Sequence, residues 1–146
     1  MMMMNHTNET SSNESTELMV SLPGPFEQAI ANVKEAFKKQ GFGVLSEIDV
    51  QLALKEKLGE SMEPYTILGM CNPPLASRAI KLEHEIGLFL PCNVLVHNCG
   101  GQVHVRAQDP ELLFQVVGND ALEPVAVEVR ERVLNALASL RGSAAA

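Results

Sequence analysis

The chain has 146 residues, 46% of them hydrophobic, which is the size of one domain with enough apolar material for its own core. A net charge of −7 with only 11 Lys and Arg argues against the clustered positive surface that phosphate backbones require, and 4% aromatics leaves little for base stacking, so nucleic acid is not an expected partner. No uncharged apolar run reaches the roughly 18 residues of a membrane-spanning helix, and three cysteines, Cys71, Cys92 and Cys99, are an odd count that suits free thiols in a reducing, cytoplasmic setting.

Residues 1–17 are polar, lack the basic and apolar regions of a secretion signal, and are expected to form a flexible tail. Their three matches to the N-glycosylation pattern, at Asn5, Asn8 and Asn13, are read as accidents of composition. A single domain is expected over residues 18–141, with residues 142–146 a frayed end.

Leu18 to Leu22 is a strand candidate closed by Pro23-Gly24-Pro25. Pro25 suits the first position of a helix whose apolar stripe is Phe26, Ile30, Val33 and Phe37, stopped by Gly41. Gly41-Phe42-Gly43 resembles the start of a dinucleotide fingerprint, but it follows a helix and lacks the third glycine, so it reads as a helix stop. Val44 to Ile48 is a second strand, and Asp49 is placed to cap a helix from Val50 to Leu58, a simpler role than that of a catalytic acid without a partner carboxylate.

Tyr65 to Cys71 is the third strand, after which Asn72 caps and Pro73 opens a helix to about Glu83. Cys71 would then lie against a helix N-terminus, where free amides lower a thiol pKa if the side chain faces them; the alternative is a small buried hydrophobe. Ile86 to Leu90 reads as a buried strand segment interrupted by Pro91, which implies a bulge or a sheet edge, and His84 as a surface turn residue. Alternation after Pro91 puts Cys92, Val94 and Val96 on one face, with Asn93, Leu95 and His97 on the other.

Cys99-Gly100-Gly101 supplies a turn, and the chain returns with Val103, Val105 and Ala107 facing the core. A two-residue loop sets His97 opposite His104, a weak candidate for a metal pair, whereas a longer loop sets Leu95 there; the alternative for both histidines is a solvated hairpin face. Asp109-Pro110 caps a short helix with Leu112, Leu113, Val116 and Val117 as its apolar positions. A last helix begins near Pro124 with the stripe Val125, Val129, Val133, Leu137 and Leu140, and Glu128, Arg130, Glu131 and Arg132 form its solvated flank.

The expected fold is therefore α+β, a single two-layer domain with a mostly antiparallel sheet of about five strands and helices packed on it, in the order β-α-β-α-β-α-β-β-α-α. Several phrases, among them Glu47-Ile48-Asp49-Val50, Pro64-Tyr65-Thr66-Ile67-Leu68-Gly69, Cys71-Asn72-Pro73, Leu90-Pro91-Cys92-Asn93-Val94 and Asp109-Pro110, make the chain resemble the domain of unknown function 302 family of small prokaryotic α+β proteins. The resemblance spans roughly Leu18 to Leu140 and implies helices on an antiparallel sheet, a tendency to self-associate, and a shared site at Cys71, Asn72, Pro73, Pro91, Cys92 and Asn93. It brings no activity with it.

Two functions fit these residues. One is a homodimeric ligand-binding or interaction domain with its site at the two Cys-Asn corners; no Walker loop, nucleophile elbow, Cys-x-x-Cys or zinc helix marks an enzyme, and no cofactor is evident. The other is thiol chemistry, with Cys71 and Cys92 acting as soft-metal ligands or as a redox or sulfur-handling pair.

Overall fold

The computed structural model describes residues 18–145, so the tail expected over residues 1–17 lies outside the described residues. Strand β1 (Met19–Leu22) leads to helix α1 (Phe26–Lys38), in which Ala29, Ile30, Val33, Ala36 and Phe37 are buried at helical spacing. Strand β2 (Gly43–Asp49) ends where Asp49 Oδ1 accepts the Leu52 N–H at 2.9 Å, which starts α2 (Val50–Leu58). Next come β3 (Tyr65–Cys71) and α3 (Pro73–Leu82), then a 3-10 turn over His84–Phe89. The hairpin of β4 (Cys92–Cys99) and β5 (Gln102–Ala107) is followed by α4 (Pro110–Val117) and the long α5 (Glu123–Ala145).

The five strands lie in the order β1-β5-β4-β3-β2, every neighbouring pair antiparallel, which is the α+β architecture expected. Gly100 and Gly101, with φ of 58° and 86°, supply the two left-handed residues of a tight hairpin loop, and His97 consequently faces His104. One sheet face carries Leu68, Met70, Val94, Val96, Val103 and Val105, buried beneath Val33 and Phe37 of α1 and Val133 and Leu137 of α5. A second apolar cluster, including Leu75, Ala79, Ile86, Phe114, Leu122 and Val125, forms where α3 and α4 meet α5. Val129 of α5 packs against both clusters, so the two cores share a seam.

Four local expectations are corrected. Ile86 to Leu90 is not a strand but part of the 3-10 turn and the residue that caps it, because the segment satisfies its backbone within itself, Ile86 N–H donating to Glu83 O at 3.0 Å and Leu90 N–H to Gly87 O at 3.2 Å. Pro91 marks neither a bulge nor an edge: it precedes a central strand, and the irregularity falls on β2 between Val44 and Ser46. In α4, Leu112 and Val116 are 56% and 72% exposed, since the helix turns Phe114 inward and these two lie on its outer stripe. The last helix extends to Ala145. Its polar flank also does more than meet solvent: Arg130 Nε donates to Asp109 Oδ1 at 3.2 Å, tying α5 to the start of α4.

Gly69 shows how closely the strands are pressed together at this end of β3. A Cβ there would lie 2.8 Å from Pro91 Cγ and would collide with Ser46 Oγ, so both neighbours rest on the bare backbone. Gly69→Ala is expected to destabilise the fold by about 1–3 kcal/mol, as overpacking does, and urea unfolding of the variant against the parent checks it.

Candidate functional site

At the seam between the two cores lies a cavity of about 330 Å³. Its floor is the end of the sheet, with Met70 and Cys71 from β3 and Pro91 and Cys92 at the start of β4. Leu75, Ala76, Ala79 and Ile80 of α3 form one wall, Leu113 and Phe114 of α4 another, and Val125 and Val129 of α5 close the back. The β2 bulge releases Leu45 from the ladder, and Leu45 at 69% and Ile80 at 38% exposure make an apolar rim open to solvent.

One tie holds the α3 wall to the back and another holds its head to the residues after α1. Glu128 of α5 accepts from Arg78 Nη1 at 3.1 Å and from Arg132 Nη2 at 3.2 Å, and these bonds, from Arg78 first and then Arg132, lower the Glu128 pKa. Asn72 is buried at the head of α3; its Oδ1 accepts the Leu75 N–H at 3.4 Å while its Nδ2 donates to Gln40 O at 3.2 Å. Both polar atoms of Asn72 are thus engaged.

Cys71, Asn72, Pro91 and Cys92 border this one cavity. Pro73 does not border it, and Asn93 is exposed, held by its backbone. The two cysteines are neighbours but not a cross-strand pair: Cys92 is opposite Met70, and Cys71 is opposite Gly43. Alternation sends Cys92 to the helix-covered face with Met70 and gives Cys71, one residue on, the opposite direction.

The helix terminus does not activate Cys71, contrary to one sequence expectation. Pro73 and Pro74 have no N–H, the Leu75 N–H goes to Asn72 Oδ1, and the Ala76 N–H goes to Asn72 O at 2.8 Å, so the first turn has no free amide to offer a thiolate. Burial instead pushes the Cys71 thiol up, and pushes Cys92 up to about 12. Cys99 is exposed at the hairpin tip.

His97 and His104 stand on the other sheet face, ring centres 5.5 Å apart, and Tyr65 stacks on His97 at the same distance. Among the described residues, no group of three or more His, Cys, Asp or Glu side chains is placed to hold a metal. Apart from Gly69, every residue on this face, including Ile67 and Leu95, is at most half-buried.

Most of the cavity wall was not singled out in the sequence. Leu75, Ala76 and Ala79 read there as ordinary helix positions, and Phe89 belonged to the segment mistaken for a strand. Gln108 is the clearest omission. It sits between β5 and α4, where its Oε1 accepts the Asn93 N–H at 3.0 Å and its own N–H donates to Asn93 O at 3.2 Å. Only the neighbouring Asp109-Pro110 signal was legible, and it speaks of a helix start.

A model of the family described as domain of unknown function DUF302 matches residues 18–140. The chain belongs to the DUF302 family. A crystal structure of an uncharacterized conserved DUF302 protein from Bacillus stearothermophilus is similar to this chain with a TM-score of 0.79 and 29% identity, over 84% of this chain and 96% of that one. No curated protein matches the chain. The DUF302 assignment agrees with the α+β fold and carries no reaction, and no helix among the described residues is long and apolar enough to cross a membrane.

The raised thiol of Cys92 has a consequence for stability. An unfolded cysteine ionises near the ordinary thiol value of 9.0, while in the fold Cys92 stays protonated to about 12. Between those values the unfolded state holds fewer protons, so stability present below pH 9 is lost as the pH rises towards 12, at about 1.4 kcal/mol per pH unit. Urea unfolding from pH 8 to pH 10.5 should therefore show a steeper decline for the parent than for Cys92→Ala, and equal slopes would contradict the burial of the thiol.

Proposed function

We propose that this DUF302 chain is a small cytoplasmic, homodimeric ligand-binding domain whose site is the cavity between α3, α4, α5 and the ends of β3 and β4. The observation that carries the reading is the cavity itself: about 330 Å³ with an apolar wall and an open apolar rim, the size and character of a small-molecule site. At about 30 Å³ for each group the size of a water molecule, it has room for roughly ten such groups.

Naphthalene, an apolar molecule of about that size, is expected to raise the unfolding temperature of the protein in a thermal shift assay, because a ligand that binds only the folded state stabilises it. Ala76→Phe puts a ring into the cavity from a half-buried position and should abolish the shift. A shift of equal size in that variant would place the binding elsewhere.

The homodimer is supported by the second sheet face, where Tyr65, Ile67, Leu95 and Met19 are half-buried and Ile48 is 50% exposed, and by β2, an edge strand exposed along its whole length. Natural proteins cover or blunt such edges, and a second copy of the same surface does so by symmetry. Sedimentation velocity at micromolar concentration should give a dimer for the parent and a monomer for Ile67→Glu. A monomeric parent would remove this part of the reading.

A further inference from the structure

The polarity of the cavity wall defines the kind of molecule it takes, an inference that rests on the ligand-binding reading above. Among the described residues that line the cavity none is charged, and the only side-chain amides are those of Asn72 and Gln108. Asn72 is occupied at both polar atoms. Gln108 is occupied at one: its Oε1 accepts the Asn93 N–H, which fixes the orientation of the amide and leaves Nε2 with no hydrogen-bond partner among the described residues. Cys92 adds soft, neutral surface.

A carboxylate or an ammonium ion entering such a wall would lose its hydration without gaining a counter-charge. A molecule with no polar group would leave the Gln108 donor unused. We propose that the ligand class is an uncharged apolar molecule of about ten heavy atoms carrying one hydrogen-bond acceptor, such as a ketone, an ester or an ether, whose oxygen accepts from Gln108 Nε2.

A matched series tests this by isothermal titration at pH 7: butylbenzene, butyrophenone, 4-phenylbutyrate and 4-phenylbutylammonium. Butyrophenone should bind roughly two- to tenfold more tightly than butylbenzene, the range of one neutral hydrogen bond, and both ions should bind at least about tenfold more weakly than the ketone. In Gln108→Leu the ketone and the hydrocarbon should bind equally. Gln108→Glu keeps an acceptor for the Asn93 N–H while removing the donor, so it should also erase the ketone's advantage even if the leucine variant folds poorly. Hydrocarbon and ketone binding equally to the parent, a tighter carboxylate, or a ketone advantage that survives in Gln108→Glu would overturn the assignment while leaving the cavity as a site. No binding by any member would remove the cavity reading and this one with it.

Discussion

The pairing of Met70 with Cys92 decides the character of this end of the molecule. It stops β3 and β4 side by side, so the chain leaves β3 into α3 and arrives at β4 from the 3-10 turn at the same place. Gly69 lets the pairing close, because Pro91 and Ser46 occupy the volume its side chain would fill. The prolines that follow β3 and precede β4 then act by subtraction: they remove ladder donors and helix amides where the chain must turn, and Asn72 satisfies what remains.

The cavity follows from that geometry. The sheet and its two long helices make one core, the short helices and α5 make another, and the two clusters meet along Val129 without merging. Between them the facing residues of α3 are Ala76 and Ala79, too small to fill the gap, and the β2 bulge lifts Leu45 to the rim rather than into the space. The ties from Glu128 to Arg78 and from Arg130 to Asp109 join α5 to α3 and to the start of α4. The exposed Arg78–Glu128 pair contributes little to stability, whereas Arg130–Asp109 is partly buried.

How much of this the sequence disclosed depended on the range of the signal. Caps and turn glycines are local, so Asp49, Asn72 and the Gly100-Gly101 turn were readable, while the length of that loop was not, and the choice between His97 and Leu95 opposite His104 stayed open until the strand pairing decided it for His97. The buried side chains of β4 and β5 were readable from alternation. Ile86 to Leu90 failed because five apolar-rich residues carry no period that separates a strand from a tight helical turn; the burial of Ile86 in the second cluster, a tertiary contact, decides it. The floor of the cavity could be picked out because both Cys-Asn phrases stand beside proline. Its walls could not, since Leu75, Phe114 and Val125 become neighbours only through tertiary packing, and Gln108 acquires meaning only through its grip on the Asn93 backbone.

An apolar hollow of this size is expensive to keep. Apolar side chains that line an open hollow forgo the burial that packing would give them, at about 25 cal/mol for each Å² of apolar surface, against the roughly 5–15 kcal/mol that holds a domain together. Water is a poor filling, because an ordered water needs two to four polar partners and this wall offers chiefly one free amide. Nor does the local sequence force the hollow open, since larger side chains at Ala76 or Ala79 of α3 would reach into it without altering a cap or a strand. A fold that keeps alanines there, sets an apolar rim at Leu45 and Ile80, and leaves one neutral donor at Gln108 has the features of a space shaped for a guest, and this is the physical ground for reading the cavity as a site rather than a packing defect.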